Sequence, residues 1–153
     1  MSEHLNIIVE SLLSYERALL LTHAAMTLMM TGLIWVIQLV HYPLFAEVGQ
    51  AGYERYQAEH VRRITWLVAP LMLTELGCAL SLALICSPEQ RVMRFSALAL
   101  LLLVWVSTAL LQVPQHDRLA RGWSAEAHLK LVRSNWLRTL SWSARAWLAL
   151  LML

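Results

Sequence analysis

Charge is scarce in this chain. Asp, Glu, Lys and Arg make up 14% of its 153 residues while 59% are hydrophobic, a balance that excludes an ordinary soluble globular domain and makes the bilayer the expected solvent. Cysteine is nearly absent. Cys78 and Cys86 on one helix would stand about 12 Å apart along its axis at ~1.5 Å per residue, which excludes a disulfide between them and leaves two small apolar packing residues. A net charge of +2 is too small to attract nucleic acid. No basic segment precedes the first apolar stretch, since Glu3, Glu10 and Glu16 face a single Arg17, so that stretch is expected to be retained rather than cleaved as a leader. Glycine is sparse and no Gly-x-x-x-Gly occurs, which removes the usual sequence sign of helix dimerisation, although four helices leave enough lipid-facing surface for a homo-oligomer.

What the chain has in quantity is long apolar runs: Ala18 to Val40, Ile64 to Cys86, Val92 to Val113, and Leu137 to Leu153. Three of them reach the ~20 residues that a bilayer core requires, and the last does so if it begins near Ser134. The expected fold is all-α, a four-transmembrane-helix antiparallel bundle forming one domain, with spans at about 18–40, 64–86, 92–113 and 134–153. Pro43 follows the first run, Ser87-Pro88-Glu89 makes a tight turn between the second and third, and Pro114 closes the third. The first and third connections are longer, with apolar residues at helical intervals, and predict short helices lying at the interface. Leu5, Ile8, Val9, Leu12 and Leu13 predict the same for the N-terminal segment.

Antiparallel neighbours bring the first and third connections to one face of the membrane. That loop face collects Arg55, Arg62, Arg63, Arg118, Arg121, Lys130, Arg133 and Arg138, against Arg17, Arg91 and Arg94 on the other. The positive-inside rule places the loop face in the cytoplasm and both termini opposite. An integral protein of a bacterial inner membrane is the expectation.

In hydrocarbon an ionised side chain costs at least ~2.5 kcal/mol at the bilayer centre, so polar residues mark the inner face of each helix. His23, Thr27, Thr31, Gln38 and Tyr42 form one stripe on the first helix, with His41 beside it; His60, Thr74, Glu75, Cys78 and Ser81 occur on the second. Trp105, Thr108, Gln112 and His116 follow on the third, and Asn135, Arg138, Trp142 and Arg145 on the fourth. These stripes converge on one interior and are richest toward the loop face, where a ligand site built from Gln38, Gln112 and their neighbours is expected. Glu75 and Arg145 both fall near mid-membrane; they either neutralise each other as a structural pair, handle a substrate or proton, or never meet. Trp105 and Trp142 either pack the bundle or wall an aromatic pocket.

His41, His60 and His116 stand at the loop-face ends of three helices, where their imidazoles can meet around a transition metal or make interfacial hydrogen bonds. No His-x-x-x-His or Glu-x-x-His spacing supports the metal. Haem needs two imidazoles at one depth, and His23 has no such partner. The cofactor therefore stays open: none, a transition metal, or haem.

Three short segments bear a family resemblance: His41-Tyr42-Pro43-Leu44 after the first helix, Gln112-Val113-Pro114-Gln115-His116-Asp117-Arg118-Leu119 after the third, and Asn135-Trp136-Leu137-Arg138-Thr139 opening the fourth. In helix order these resemble the small four-helix membrane proteins of the anthrone-oxygenase-like group, which show a Val-Pro-x-Asn segment, an Asn-x-x-Arg-Thr element and a His-Pro-like motif. The matching positions are Pro114, His116, Asn135 and Arg138. His116 stands where that pattern has Asn, and Tyr42 separates His41 from Pro43. The resemblance implies an oxidoreductase acting on a hydrophobic aromatic molecule, with His116, Asn135, Arg138 and His41 as catalytic candidates. The residues alone equally allow a non-catalytic bundle that binds a hydrophobic small molecule from the bilayer.

Overall fold

The computed structural model describes residues 2–153 and is almost wholly helical. Its α-helices are α1 (Ser2–Val36), α2 (Tyr42–Leu44), α3 (Tyr53–Leu84), α4 (Arg91–Ser107), α5 (Val113–Leu119) and α6 (Ala125–Leu151). They assemble into four rods. The first runs from α1 through a π-helical turn, Ile37–His41, into α2 and a 3-10 turn, Phe45–Glu47; the third runs from α4 through a second π turn, Thr108–Gln112, into α5. α1 packs against α3 and α6, and α4 packs against the same two, so the rods close into a four-sided bundle.

Three rods, Asn6–Glu47, Gln50–Leu84 and Arg91–Leu119, are long and apolar enough to cross a membrane. Helix α6 has the length but is more polar, because Asn135, Arg138, Thr139, Ser141 and Arg145 lie on it. All five are buried against the other rods. The outward surface is apolar, with Trp66, Leu84, Leu110, Leu140 and Trp147 exposed. Inside, Met30, Ile34, Phe45, Val104, Leu131 and Trp142 form the packed core.

The separate interfacial helices predicted in the first and third connections are absent. Residues 53–63 are the first turns of α3, 125–133 are the first turns of α6, and the N-terminal segment is continuous with α1. Nothing in those stretches breaks a helix, so each rod runs on past its apolar run. The chain reverses instead at Gly49 and Gly122, whose φ of 77° and 130° only glycine adopts at little cost. Ser124 then caps α6 by accepting from the Ala127 N–H at 3.3 Å.

The prolines also act differently from expectation. Neither Pro43 nor Pro114 ends its rod. A proline has no N–H for the carbonyl four residues back, and here the residue before it donates five back: Tyr42 N–H to the Ile37 carbonyl, and Val113 N–H to the Thr108 carbonyl. Each wider turn absorbs the missing bond, keeps the rod going and re-aims the side chains around it. Both π turns lie at the end of the bundle where Gly49 and Gly122 turn, called the loop end below.

Candidate functional site

The interior polar residues sort into two layers. In the deeper one, Glu75 of α3 and Arg145 of α6, both fully buried, form an ion pair at 2.8 Å. Thr27 of α1 donates to Glu75 Oε1 at 2.7 Å, and Trp142 Nε1 donates to Oε2 at 3.1 Å. Arg145 adds an Nε bond to Oε1 at 3.2 Å, donates from Nη1 to the Ala97 carbonyl of α4, and meets His23 Nε2 at 3.2 Å. One carboxylate and one guanidinium thus tie all four rods together, with nearly every charged atom satisfied. The two charges therefore meet and neutralise each other inside the bundle. Trp142 serves the carboxylate, and neither it nor Trp105 lines the cavities described below.

The second layer lies at the loop end. Gln38, on the first π turn, donates to the Val132 carbonyl at 3.2 Å and accepts from Asn135 Nδ2 at 2.9 Å. Asn135 in turn accepts from Arg138 Nη1 at 3.3 Å, so an amide of the first rod positions an α6 amide that steadies a guanidinium. Arg138 lies over the Trp142 ring, 5.2 Å from its centroid, and beside the Tyr42 hydroxyl. On the second π turn, Gln112 accepts from Ser107 at 3.0 Å and donates to Ser134 at 3.0 Å, fixing α4 to α6.

Around this frame three histidines gather. His41 Nε2 and His60 Nδ1 share a hydrogen bond of 2.8 Å, and the His60 and His116 rings are 5.5 Å apart. His116 contacts the Tyr42 hydroxyl through Nε2 at 3.0 Å and the Gln57 amide through Nδ1 at 2.8 Å. A neutral imidazole has one donor and one acceptor, so these contacts allow two proton arrangements. With the Gln57 amide donating to Nδ1, Nε2–H points at Tyr42; with that amide turned over, Tyr42 donates and Nδ1–H points at Gln57.

The three-imidazole metal site is not realised in this arrangement. Two nitrogens on one tetrahedral zinc stand about 3.3 Å apart with the metal between them, whereas His41 and His60 face each other at hydrogen-bond distance. Among the described residues no three His, Cys, Asp or Glu side chains gather to hold an ion. His23, which has no histidine partner at its depth, meets Arg145.

Two cavities open beside the cluster, and Ile64 of α3 lines both. The larger, about 440 Å³, is bounded by His41, Tyr56, Glu59, His60, Arg63 and Leu67 and is mostly apolar. The smaller, about 160 Å³, lies between α3, the α4–α5 rod and α6, and there Tyr42, Gln112, His116 and Arg138 meet an apolar wall of Val61, Val68 and Val113. It holds the denser chemistry, and we take it as the site.

No family model, curated protein or solved structure matches this chain.

Four features escaped the sequence reading. Gln57 sits one turn before His60 on the same face of α3, a spacing that would have exposed it had 53–63 been taken as part of that helix. His128 reaches the Tyr42 carbonyl at 2.8 Å from the first turns of α6, for the same reason. Tyr42, an inner-stripe residue that departs from the family pattern, proves to be the link between His116 and Arg138. Arg94, assigned to the far face by counting, is buried and paired with Glu16 while donating to the Leu82 carbonyl at 3.0 Å; its register with Ala97, Leu101 and Val104 was the available signal.

Proposed function

We propose that the chain is a four-span integral membrane protein that binds a hydrophobic small molecule in the cavities at its loop end. The fourth span is α6: Asn135, Arg138, Thr139, Ser141 and Arg145 are buried along it, and Leu137, Leu140, Trp147, Leu150 and Leu151 face outward as lipid-facing residues would. The basic residues of the two loop-end connections support a cytoplasmic position for that end.

The observation that carries the binding reading is a cavity with apolar walls on which hydrogen-bonding groups from three rods converge, the usual anatomy of a small-molecule site. The test is saturable binding of tritiated 4-dodecylphenol to the protein in nanodiscs. One-site binding to wild type, lost in Ile64→Trp because the larger indole intrudes at the wall the two cavities share, is the expected result. Uptake no different from empty nanodiscs would sink the reading.

A second, catalytic reading rests on the Tyr42–His116–Gln57 chain beside Arg138. An imidazole that fits in either tautomer between a hydroxyl and an amide is suited to general acid–base work on a phenolic ligand, and a guanidinium to holding the phenolate. This is where the resemblance to the anthrone-oxygenase-like group bears, through Pro114, His116, Asn135 and Arg138. It predicts that His116→Phe abolishes turnover of an anthrone-type substrate while 4-dodecylphenol still binds; turnover that survives the substitution removes His116 from the chemistry.

A further inference from the structure

Three arginines are buried in this bundle, and they are not alike. Arg145 has Glu75 and Arg94 has Glu16. Arg138 is 6% exposed, and no carboxylate among the described residues pairs with it. Its neighbours are neutral: the Asn135 amide, the Tyr42 hydroxyl and the Trp142 ring. Its Nε is buried with no hydrogen-bond partner. The guanidinium stays charged wherever it is placed, and a buried cation without an anion is costly. Packing on Trp142 and the bond to Asn135 fix its position and leave its charge uncompensated.

Arg138 also lines the smaller cavity. At ~30 Å³ per water-sized group, that cavity has room for about five such groups, enough for a compact head and the first carbons of a chain. The rest of a ligand would run out past Val61, Val68 and Val113. Asp117 stands at the rim, exposed, and makes no ion pair with Arg138.

We propose that the ligand is an amphiphile with an oxyanion head, a carboxylate or phosphate on an alkyl tail, and that Arg138 is the residue that recognises the head. This rests on the binding reading above and narrows it: the missing counter-ion arrives with the ligand. Asn135, held by Gln38, is a positioning residue for the guanidinium.

The test compares tritiated dodecanoate, dodecyl phosphate and dodecanol on wild type in phosphatidylcholine nanodiscs. The tails match, so the head alone distinguishes them. The expected result is that at least one of the two anions binds about tenfold or more tighter than the alcohol, the scale of one charge-assisted contact. Arg138→Gln should bring that ratio close to one by weakening the anions. Doping the discs with phosphatidylglycerol separates the sources of the anion: competition assigns the site to a bilayer headgroup, and its absence to a free amphiphile. Equal affinity of all three probes for wild type overturns the oxyanion proposal and leaves the hydrophobic site standing. Saturable binding by none overturns both. Because the wild-type comparison decides the question, a poorly folding Arg138→Gln protein would not rescue the proposal.

Discussion

Arg145 and Arg138 lie two helical turns apart on α6 with opposite roles, so the same substitution should have opposite consequences. Arg145→Met removes the only guanidinium beside Glu75 and leaves that fully buried carboxylate with the Thr27 and Trp142 donors alone. Breaking one side of a buried pair costs roughly 3–5 kcal/mol, or about two to three and a half powers of ten in the folded-to-unfolded ratio. Glu75→Gln should cost a similar amount by stranding Arg145. The double variant Glu75→Gln with Arg145→Met should cost clearly less than the two singles together, since no charge is then left unpaired. Arg138→Met strands no charge. It leaves the Asn135 carbonyl oxygen without one donor, a loss of about 1 kcal/mol, and removes an uncompensated cation, so ligand-free stability should stay within about 1 kcal/mol of wild type or rise. Equilibrium unfolding in dodecyl maltoside micelles titrated with dodecyl sulfate measures all four. Equal costs at the two arginines would refute the division into a structural and a ligand-facing guanidinium, and additive costs at Glu75 and Arg145 would refute the pairing.

Three further outcomes are expected. Glu16→Gln should destabilise by about 1–2 kcal/mol in the same titration, less than at Glu75 because the Glu16 side chain is 27% exposed and partly screened. Pro43→Ala restores an N–H that can reach the Leu39 carbonyl; closing the π turn should shift Gln38 and Tyr42 and weaken 4-dodecylphenol binding about tenfold, with the protein still folded by circular dichroism. Unchanged affinity would mean that the turn does not set the site. Asp117→Asn removes a negative charge from the cavity rim and should tighten dodecanoate roughly threefold at low salt, with no gain for dodecanol and a smaller gain at high salt.

The sequence was legible where a side chain's phase on a helix was enough. His23, Thr27 and Gln38 on the first rod, and Asn135, Arg138, Trp142 and Arg145 on α6, repeat at helical intervals, and all are buried. Phase was insufficient on α3, where Thr74 and Glu75 are both polar and adjacent; only the guanidinium on α6 decides that Glu75 turns in while Thr74 is exposed. The boundaries misled because hydropathy marks where a rod enters lipid, whereas helices end where the backbone demands a glycine. Pro43 and Pro114 read as stops, since sequence spacing carries no sign of a helix widening by one residue. Gln57 and His128 were hidden by the same error, lying in segments that seemed to be outside the bundle.

The rod least like a membrane span carries two of the buried arginines, Arg138 and Arg145, and the two facts have one cause. A span scores as apolar when its polar residues are few, yet an intramembrane site needs polar residues, which lipid tolerates only on a face that other helices cover. Helix α6 meets both demands by burying Asn135, Arg138, Thr139, Ser141 and Arg145 while Glu126, Lys130 and Arg133 stay exposed at its loop end: Arg145 is covered by α1, α3 and α4 through its partners, and Asn135 is covered by Gln38 of the first rod. The low hydropathy of α6 therefore measures how much of the bundle's chemistry it holds. Within that face, selection for packing alone would match each buried cation with an anion, as it does for Arg145 and Arg94, or replace it with a methionine or leucine of similar volume. Arg138 is neither matched nor replaced. It is held in place by an asparagine that is itself held by a glutamine, which is the arrangement a binding group needs and a packing group does not.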